Sequence, residues 1–282
     1  MTPPGTIGDA LALARSLGVQ RLDAQLLVGH HCARSRTSVI AHGDAALTAA
    51  QANGIARDLQ RRAAGEPLAY LLGTRDFHGL ELQVSPAVLV PRQDTETLVD
   101  WAIELLRARG GDAARVIDLG TGSGAIALAV KHSCPGNEML ALDASGEALA
   151  VARANAQRLS LDVAFRAGDW WTGLGGERFD LVLSNPPYIA EADPHLAALA
   201  HEPQQALTSG ADGLDAIRRI VHDAPQHMNA RAWLLLEHGH EQGPAVRDLL
   251  HARGFAGIAT RRDLEGRERT SGAFWPTNGT SV

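Results

Sequence analysis

Cysteine is nearly absent from this 282-residue sequence, which contains only Cys32 and Cys134. Two cysteines so far apart provide neither a disulfide framework nor a cysteine-based metal site, which favours a reducing compartment. No apolar run approaches the ~20 residues that a membrane-spanning helix needs. The first residues also lack the charged region and apolar stretch of a signal peptide. We therefore expect a cytoplasmic protein.

Lysine is equally scarce: Lys131 is the only one, and the formal net charge is -6. Domains that bind nucleic acid usually carry a basic face. The composition therefore argues against nucleic acid as a direct partner, and we expect a monomer. Hydrophobic residues make up 45% of the chain, which is enough for a large α/β domain and a smaller second one.

The pattern of apolar residues divides the chain into three regions. Residues 1–74 carry helical stripes and no strand pattern, which predicts an N-terminal helical bundle with a cap at Thr6 and a later helix that starts after Leu47-Thr48. Residues 75–91 predict a β-hairpin or extended connector. In residues 92–282 strands and helices alternate, which predicts a mostly parallel sheet covered on both faces. The expected strands are residues 116–119, 139–142, 162–165, 179–184 and 232–236. The expected helices include residues 95–109, with Asp94 as the cap, 145–159 and 212–224. Segments 255–259 and 270–275 would form a closing hairpin.

A glycine-rich turn follows the first of these strands. Its residues are Gly120, Thr121, Gly122, Ser123 and Gly124, and the glycines allow a sharp turn and close approach to a ligand. The spacing G-x-G-x-G differs from the dinucleotide pattern G-x-G-x-x-G. This turn predicts a nucleotide or nucleoside site at the carboxyl end of the sheet.

Two acidic residues extend the predicted nucleoside site. Asp143 ends the second strand, where a carboxylate can accept hydrogen bonds from ribose hydroxyls, cap the next helix, or do both. Asp169 and Trp170 follow the third strand, where an acceptor and an aromatic face would suit adenine. These features fit NAD(H) as well as S-adenosylmethionine, so another motif must decide.

The motif Asn185-Pro186-Pro187-Tyr188 closes the strand at 179–184 and decides the chemistry. The Asn185 side chain and the Pro186 backbone each offer a carbonyl oxygen, and the prolines stiffen the loop. Two such acceptors can hold a flat NH2 group and gather electron density on its nitrogen, while the Tyr188 ring can stack on the substrate. We therefore predict methyl transfer from S-adenosylmethionine to an amide or amino nitrogen.

These motifs resemble the HemK/PrmC peptide chain release factor glutamine N5-methyltransferases. Further matching segments are Gly65 to Gly73, Phe77-His-Gly79, Val88 to Arg92, Asp94-Thr-Glu96 and Leu234-Leu-Leu-Glu-His-Gly239. The resemblance implies a class I (Rossmann-like) fold with a seven-stranded sheet and one antiparallel strand. It implies the Gly-Gly-Gln glutamine of class I release factors as substrate, held by residues 185–188, and a helical domain that helps dock the factor. It also implies cofactor contacts from residues 120–124, Asp143, Trp170 and Asn185.

The sequence departs from that family at Gln93, His201 and Ala230-Arg231, which leaves substrate docking open. One alternative is a nucleic-acid amino methyltransferase acting on adenine N6 or guanine N2, because the same motif serves those groups. A binding module without activity and an NAD-dependent dehydrogenase are further alternatives. We expect no metal site: His238 and His240 lack zinc-ligand spacing and are interpreted as solvated or loop histidines.

Overall fold

The computed structural model describes residues 3–110 and 113–276. The chain forms two compact units, one ending at Thr74 and the other beginning at Arg75. Within the described residues, no helix combines the length and the apolar character that crossing a bilayer requires. The two units are described separately below.

The first unit is helical, and its helices begin where the sequence places capping residues. Thr6 and Thr48 each form a capping box, with Asp9 and Gln51 respectively. This confirms the predicted cap at Thr6 and the predicted start of a helix after Thr48. The elements are α1 (Ile7–Ser16), α2 (Arg21–Cys32), α3 (Arg36–Ala41), α4 (Ala49–Ala63) and α5 (Leu68–Leu72). Ile7, Leu27, Ile55 and Leu59 are fully buried in their shared core.

A buried ionic cluster joins α2 to α4 in this unit. The Asp58 side chain is 4% exposed and lies 2.8 Å from His31 Nε2, 2.8 Å from Arg57 Nε and 3.3 Å from Arg61 Nη1. Gly54 leaves room for the imidazole, since a Cβ there would lie 2.7 Å from the His31 ring. Each buried charge is thus paired, as burial requires.

The second unit begins with a two-stranded hairpin, β1 (Thr74–Phe77) and β2 (Leu80–Gln83). Its end is tied to the glycine-rich turn by one buried side chain. Asn155 Oδ1 accepts from the Gln83 N–H at 2.7 Å, and Asn155 Nδ2 donates to the carbonyl oxygens of Gln83 and Ser123.

A seven-stranded sheet fills the second unit, in the order β5-β4-β3-β6-β7-β9-β8. Neighbours are parallel except that β9 runs antiparallel to β7 and β8. The strands are β3 (Arg115–Leu119), β4 (Glu138–Asp143), β5 (Ala164–Ala167), β6 (Phe179–Ser184), β7 (Met228–Glu237), β8 (Ala256–Arg262) and β9 (Glu268–Phe274). This topology confirms the expected Rossmann-like sheet with one antiparallel strand.

Helices cover both faces of the sheet, over two hydrophobic cores. They are α6 (Glu96–Ala108), α7 (Ala125–Ser133), α8 (Gly146–Leu159), α9 (Asp215–Asp223) and α10 (Gly243–Arg253). Apolar runs such as Leu181 to Leu183 and Leu234 to Leu236 are buried, as expected for strands covered on two sides.

Several predicted boundaries of helices and strands were wrong. Asp94 does not cap α6: it lies in a 3-10 turn, Gln93–Thr95, and its carboxylate pairs with Arg269 at 3.1 Å. β5 begins two residues later than predicted, at Ala164. α9 starts at Asp215, since Asp212 first accepts from the Leu214 N–H in a turn.

Strand β7 starts earlier than predicted, at Met228, and contains an irregularity. Arg231 lies within it at φ 63°, a region that favours glycine. The departure at Ala230-Arg231 therefore places a bulky residue at a left-handed position. Its N–H still donates to the Trp275 carbonyl at 2.7 Å, so the strand pairing is kept around it.

Candidate methyl-transfer site

The carboxyl ends of β3, β4 and β6 meet at one edge of the sheet and open into a cavity of about 310 Å³. This position and size are typical of ligand sites in open α/β sheets. Nine of the residues predicted for the site line the cavity: Gly120, Thr121, Gly122, Ser123, Asp143, Asp169, Trp170, Asn185 and Pro187. Of the described residues predicted for the site, Gly124, Pro186 and Tyr188 lie outside this lining.

The glycine-rich turn crosses from β3 to α7. The N–H groups of Gly120 and Thr121 both donate to the Leu142 carbonyl, at 2.8 and 2.9 Å, so the turn is fastened to β4. Gly120, Gly122 and Gly124 all have positive φ. A Cβ on Gly124 would lie 3.0 Å from Leu128 Cδ1. Gly124 therefore serves helix packing, while the preceding residues face the cavity.

Asp118 lies beneath the turn and is fully buried. Thr121 Oγ1 donates to its Oδ2 at 2.6 Å, whereas Oδ1 has no well-formed hydrogen bond to the described residues. Burial raises the pKa of Asp118 to about 7. A buried carboxyl with a raised pKa next to a cavity is typical of a ligand site.

Asp143 receives backbone hydrogen bonds on both carboxylate oxygens. Gly122 N–H donates to Oδ2 and Ser145 N–H donates to Oδ1, each at 2.8 Å. The cap of α8 is Ser145 itself, so Asp143 supports the turn before the helix. Burial raises the pKa of Asp143 against these hydrogen bonds. Each oxygen keeps a lone pair that can accept from a ligand hydroxyl.

Trp170 and Asp169 form another wall of the cavity. Trp170 has φ 54°, and its Cζ3 would lie 3.3 Å from a Cβ on Gly120, so the indole closes over the glycine-rich turn. Asp169 is half exposed and pairs with Arg219 at 2.7 Å. Trp171 instead turns into the core, where it stacks on His227.

Asn185 holds the most informative polar atom of the cavity. Its Nδ2 donates to Thr95 Oγ1 at 3.2 Å, but its buried Oδ1 has no hydrogen-bond partner among the described residues. A buried acceptor left open costs about 1–3 kcal/mol unless something binds it. The arrangement fits an oxygen reserved for a ligand N–H.

Tyr188 is positioned by hydrogen bonds at both its ends. Its hydroxyl donates to Glu237 Oε1 at 3.2 Å, and its carbonyl accepts from Gln242 Nε2 at 3.0 Å. Burial, together with the neighbouring Glu237 carboxyl, raises the pKa of the Tyr188 hydroxyl. The tyrosine therefore stays neutral and holds the loop after β6.

Sequence reasoning missed the residues that support this loop and close the cavity. Glu237 follows the apolar run of β7 at its carboxyl end, which is the signal that could have found it. Glu202 accepts from the Val90 N–H at 3.1 Å and also pairs with Arg92, thereby joining two cavity walls. Neither glutamate follows from spacing alone, because their partners are distant in sequence.

Histidines contribute no metal centre in the part of the chain that the structure describes, where no three His, Cys, Asp or Glu residues are grouped to hold an ion. His238 lies in the loop directly after β7, as one of the two interpretations had it, but it is not solvated. It is fully buried, and its Nε2 lies 2.8 Å from Ser271 Oγ.

Comparisons with known proteins give a consistent result. A family model described as a methyltransferase small domain matches residues 96–213, and one described as the PrmC N-terminal domain matches residues 10–73. The chain is similar to the release factor glutamine methyltransferase of Xylella fastidiosa (strain Temecula1), with 47% identity over 93% of this chain and 96% of the relative. The protein of that name from Pseudomonas aeruginosa is also 47% identical, over 90% of this chain and 92% of its own.

Solved structures share the fold at lower identity. The hMettl16 catalytic domain in complex with a 3′UTR hairpin has a TM-score of 0.57 and 18% identity, covering 79% of this chain and 82% of its own. The T. thermophilus 16S rRNA N2 G1207 methyltransferase, in complex with AdoMet and guanosine, has a TM-score of 0.54 and 18% identity, covering 71% of this chain and 49% of its own. At these identities the likeness shows the fold alone.

Proposed function

The chain belongs to the release factor glutamine methyltransferase family, and we propose that it methylates the N5 side-chain nitrogen of the glutamine in the Gly-Gly-Gln motif of class I release factors. Its cofactor is S-adenosyl-L-methionine. The observation that carries the assignment is the buried Asn185 Oδ1, which has no hydrogen-bond partner among the described residues and belongs to a residue that lines the ligand cavity.

The residues that line the cavity fit this cofactor. We propose that Gly120, Thr121, Gly122 and Ser123 hold its amino acid part, with Gly124 setting the course of the turn, that Asp143 binds the ribose, and that Asp169 and Trp170 contact adenine. The fit rests on the lone pairs of Asp143, on the open space beside Gly122 and on the indole over Gly120. Bound S-adenosylmethionine supplies an electrophilic methyl group.

The protein must then position a poor nucleophile. An amide nitrogen shares its lone pair with the carbonyl. Acceptors aimed at its N–H bonds must therefore orient the nitrogen and also increase the electron density on it. We propose that Asn185 Oδ1 and the Pro186 carbonyl oxygen do so, with Pro187 and the Tyr188 ring bounding the substrate end. The protonated amide that forms is acidic, so positioning and electrostatics suffice without a strong base.

The activity is tested by incubating the protein with labelled cofactor and either a class I release factor or nucleic acid, followed by mass spectrometry. We expect one methyl group on the glutamine of the release factor. Asn185→Ala should lower kcat about 10²-fold or more and largely keep cofactor affinity, whereas the exposed Asn53→Ala serves as the matched control. Label in adenine or guanine instead would favour the nucleic-acid alternative.

We also propose that residues 1–74 dock the release factor, with 75–91 as connector and 92–282 as the transferase domain. Leu22 and Ile40 are large apolar side chains exposed on the helical unit, at 48% and 49%. Replacing both with lysine should raise KM for the release factor and leave cofactor affinity unchanged. An unchanged KM would remove this apolar pair from docking.

The remaining partner assignments are proposals of the same kind. We propose a cytoplasmic monomer that acts on protein and does not bind nucleic acid directly. The acidic net charge of -6 supports the last point, because phosphate contacts need clustered basic residues. Light scattering and a filter-binding assay at low salt would test both statements.

A further inference from the structure

A row of buried polar groups lies behind Asn185. Its Nδ2 donates to Thr95 Oγ1, and Thr95 is 4% exposed. Burial raises the pKa of the Glu237 carboxyl to about 7, and the Thr95 hydroxyl beside it opposes that rise by stabilising the ionised form. The Tyr188 hydroxyl donates a hydrogen bond to Glu237 Oε1. The contact between Thr95 and Glu237 is looser, because Glu237 Oε2 has no well-formed hydrogen-bond partner among the described residues.

We propose that Thr95 and Glu237 are positioning residues that orient the Asn185 amide and so keep its Oδ1 directed into the cavity. The inference rests on the proposed function, in which that oxygen receives an N–H of the substrate amide. It adds two residues that reach the reaction through Asn185.

The direction of the hydrogen bonds decides which way the Asn185 amide points. Above about pH 7 the Glu237 carboxyl is ionised. An ionised carboxylate can only accept, and a hydroxyl has one proton to give. If the Thr95 proton points to Glu237, only its lone pairs face Asn185, and a lone pair can receive only an N–H. Nδ2 must then face Thr95, which leaves Oδ1 for the cavity.

Shape alone cannot select this orientation. The oxygen and the NH2 group of an asparagine are nearly equal in size, so hydrogen bonds decide which way the amide points. In the reversed orientation the Asn185 NH2 would face the substrate NH2. Two hydrogen-bond donors, the NH2 groups of Asn185 and of the substrate, would then face each other. The acceptor that increases electron density on the attacking nitrogen would be lost.

The turn that carries Thr95 is itself held in place. The Thr95 N–H donates to the Arg92 carbonyl at 3.2 Å, and the adjacent Asp94 pairs with Arg269 of β9 at 3.1 Å. Arg269 is 9% exposed and also pairs with Asp263 at 3.2 Å. Its positive charge favours the ionised form of Glu237, which Asp94 opposes.

The test uses Thr95→Val, which keeps the shape but removes the hydroxyl, and Thr95→Ser, which keeps the hydroxyl. We expect Thr95→Val to lower kcat about fivefold to tenfold, as expected for one lost hydrogen bond, with the Kd of S-adenosylhomocysteine changed less than twofold. Thr95→Ser should recover kcat to within about twofold. Glu237→Gln, which can donate as well as accept, should lower kcat similarly.

The double variant Asn185→Ala/Thr95→Val separates positioning from general structural damage. If Thr95 acts through Asn185, adding Thr95→Val to Asn185→Ala should cost less than twofold more. Fully additive losses, or a Thr95→Val enzyme with wild-type kcat, would overturn the inference. The wild-type protein must methylate the release factor in the same assay; if it does not, the proposed function fails rather than the role of Thr95.

Discussion

In the helical unit the buried Asp58 carboxylate is met by His31, Arg57 and Arg61. In the second unit Asp118, Asn185 and Glu237 each keep a buried oxygen without a well-formed hydrogen bond. Of the described residues, every buried side-chain polar atom without a partner lies in the second unit. Buried polar groups are usually satisfied internally because leaving them open is costly. Of the residues with an open buried atom, which also include Thr270, Asn185 lines the cavity, where a bound ligand can lie beside it.

The largest effect should come from breaking the satisfied cluster of the helical unit. Asp58→Ala leaves the partly buried His31 and two exposed arginines without their shared carboxylate, and we expect a loss of roughly 2–3 kcal/mol in the free energy of unfolding, as for lost hydrogen bonds to a charged group. Urea titration of the full chain measures it. The exposed Asp44→Ala should change stability by less than about 0.5 kcal/mol; equal losses would mean that the cluster contributes nothing specific.

Removing the open carboxyl of Glu237 should have the opposite sign. Burial raises its pKa to about 7, so the folded state binds the proton more tightly than the unfolded state. The resulting stabilisation is complete below the unfolded pKa, near 4.5, and is lost as pH rises through about 7.

The Glu237→Gln variant has no ionisable group at this position, so its free energy of unfolding does not include the pH-dependent loss described for Glu237. We expect the free energy of unfolding of the variant, relative to wild type, to rise by roughly 1–3 kcal/mol between pH 4.5 and pH 8. Urea titrations at both pH values measure it. A constant difference would show that Glu237 does not titrate in this range.

A smaller effect is expected from the contact between two cavity walls. Glu202→Ala removes the partner of Val90 N–H and Arg92, so the wall should loosen and the Kd of S-adenosylhomocysteine should rise about fivefold. Calorimetry measures it. The Glu202→Gln side chain can still accept from the Val90 N–H, so the Kd of this variant should lie between those of the wild type and of Glu202→Ala. A wild-type Kd for Glu202→Ala would contradict the prediction.

The smallest effect should come from Arg231, a residue of β7 with left-handed backbone geometry. Arg231→Gly should relieve this geometry and stabilise the fold by about 0.5–1 kcal/mol. Arg231→Ala, which keeps a Cβ, is the matched control and should not stabilise. A thermal shift in the same direction for both would assign the effect to the arginine side chain instead.

Much of the fold could be predicted from local pattern. The apolar strands, the turn from Gly120 to Gly124 and the caps at Thr6 and Thr48 follow from residues close in sequence. Two expectations that failed depended on partners far along the chain: Asp94 pairs with Arg269 instead of capping α6, and His238 is buried against Ser271 instead of being solvated. Periodicity contains no information about such contacts.

The candidate site divides in the same way. Most of its predicted residues stand where a parallel strand ends, so topology brings them to one cavity. Thr95 and Glu237 were missed as supports of Asn185 because nothing in their local sequence indicates which side chain they would meet.

By itself, the sequence determined the helical and α/β regions, the glycine turn and the Asn-Pro-Pro-Tyr loop, because each depends on the conformational preferences of neighbouring residues. Only the tertiary structure decided which polar atoms are paired and which stay open. That distinction depends on burial and on donors and acceptors brought together from distant segments, and in this protein it is what leaves the Asn185 oxygen available.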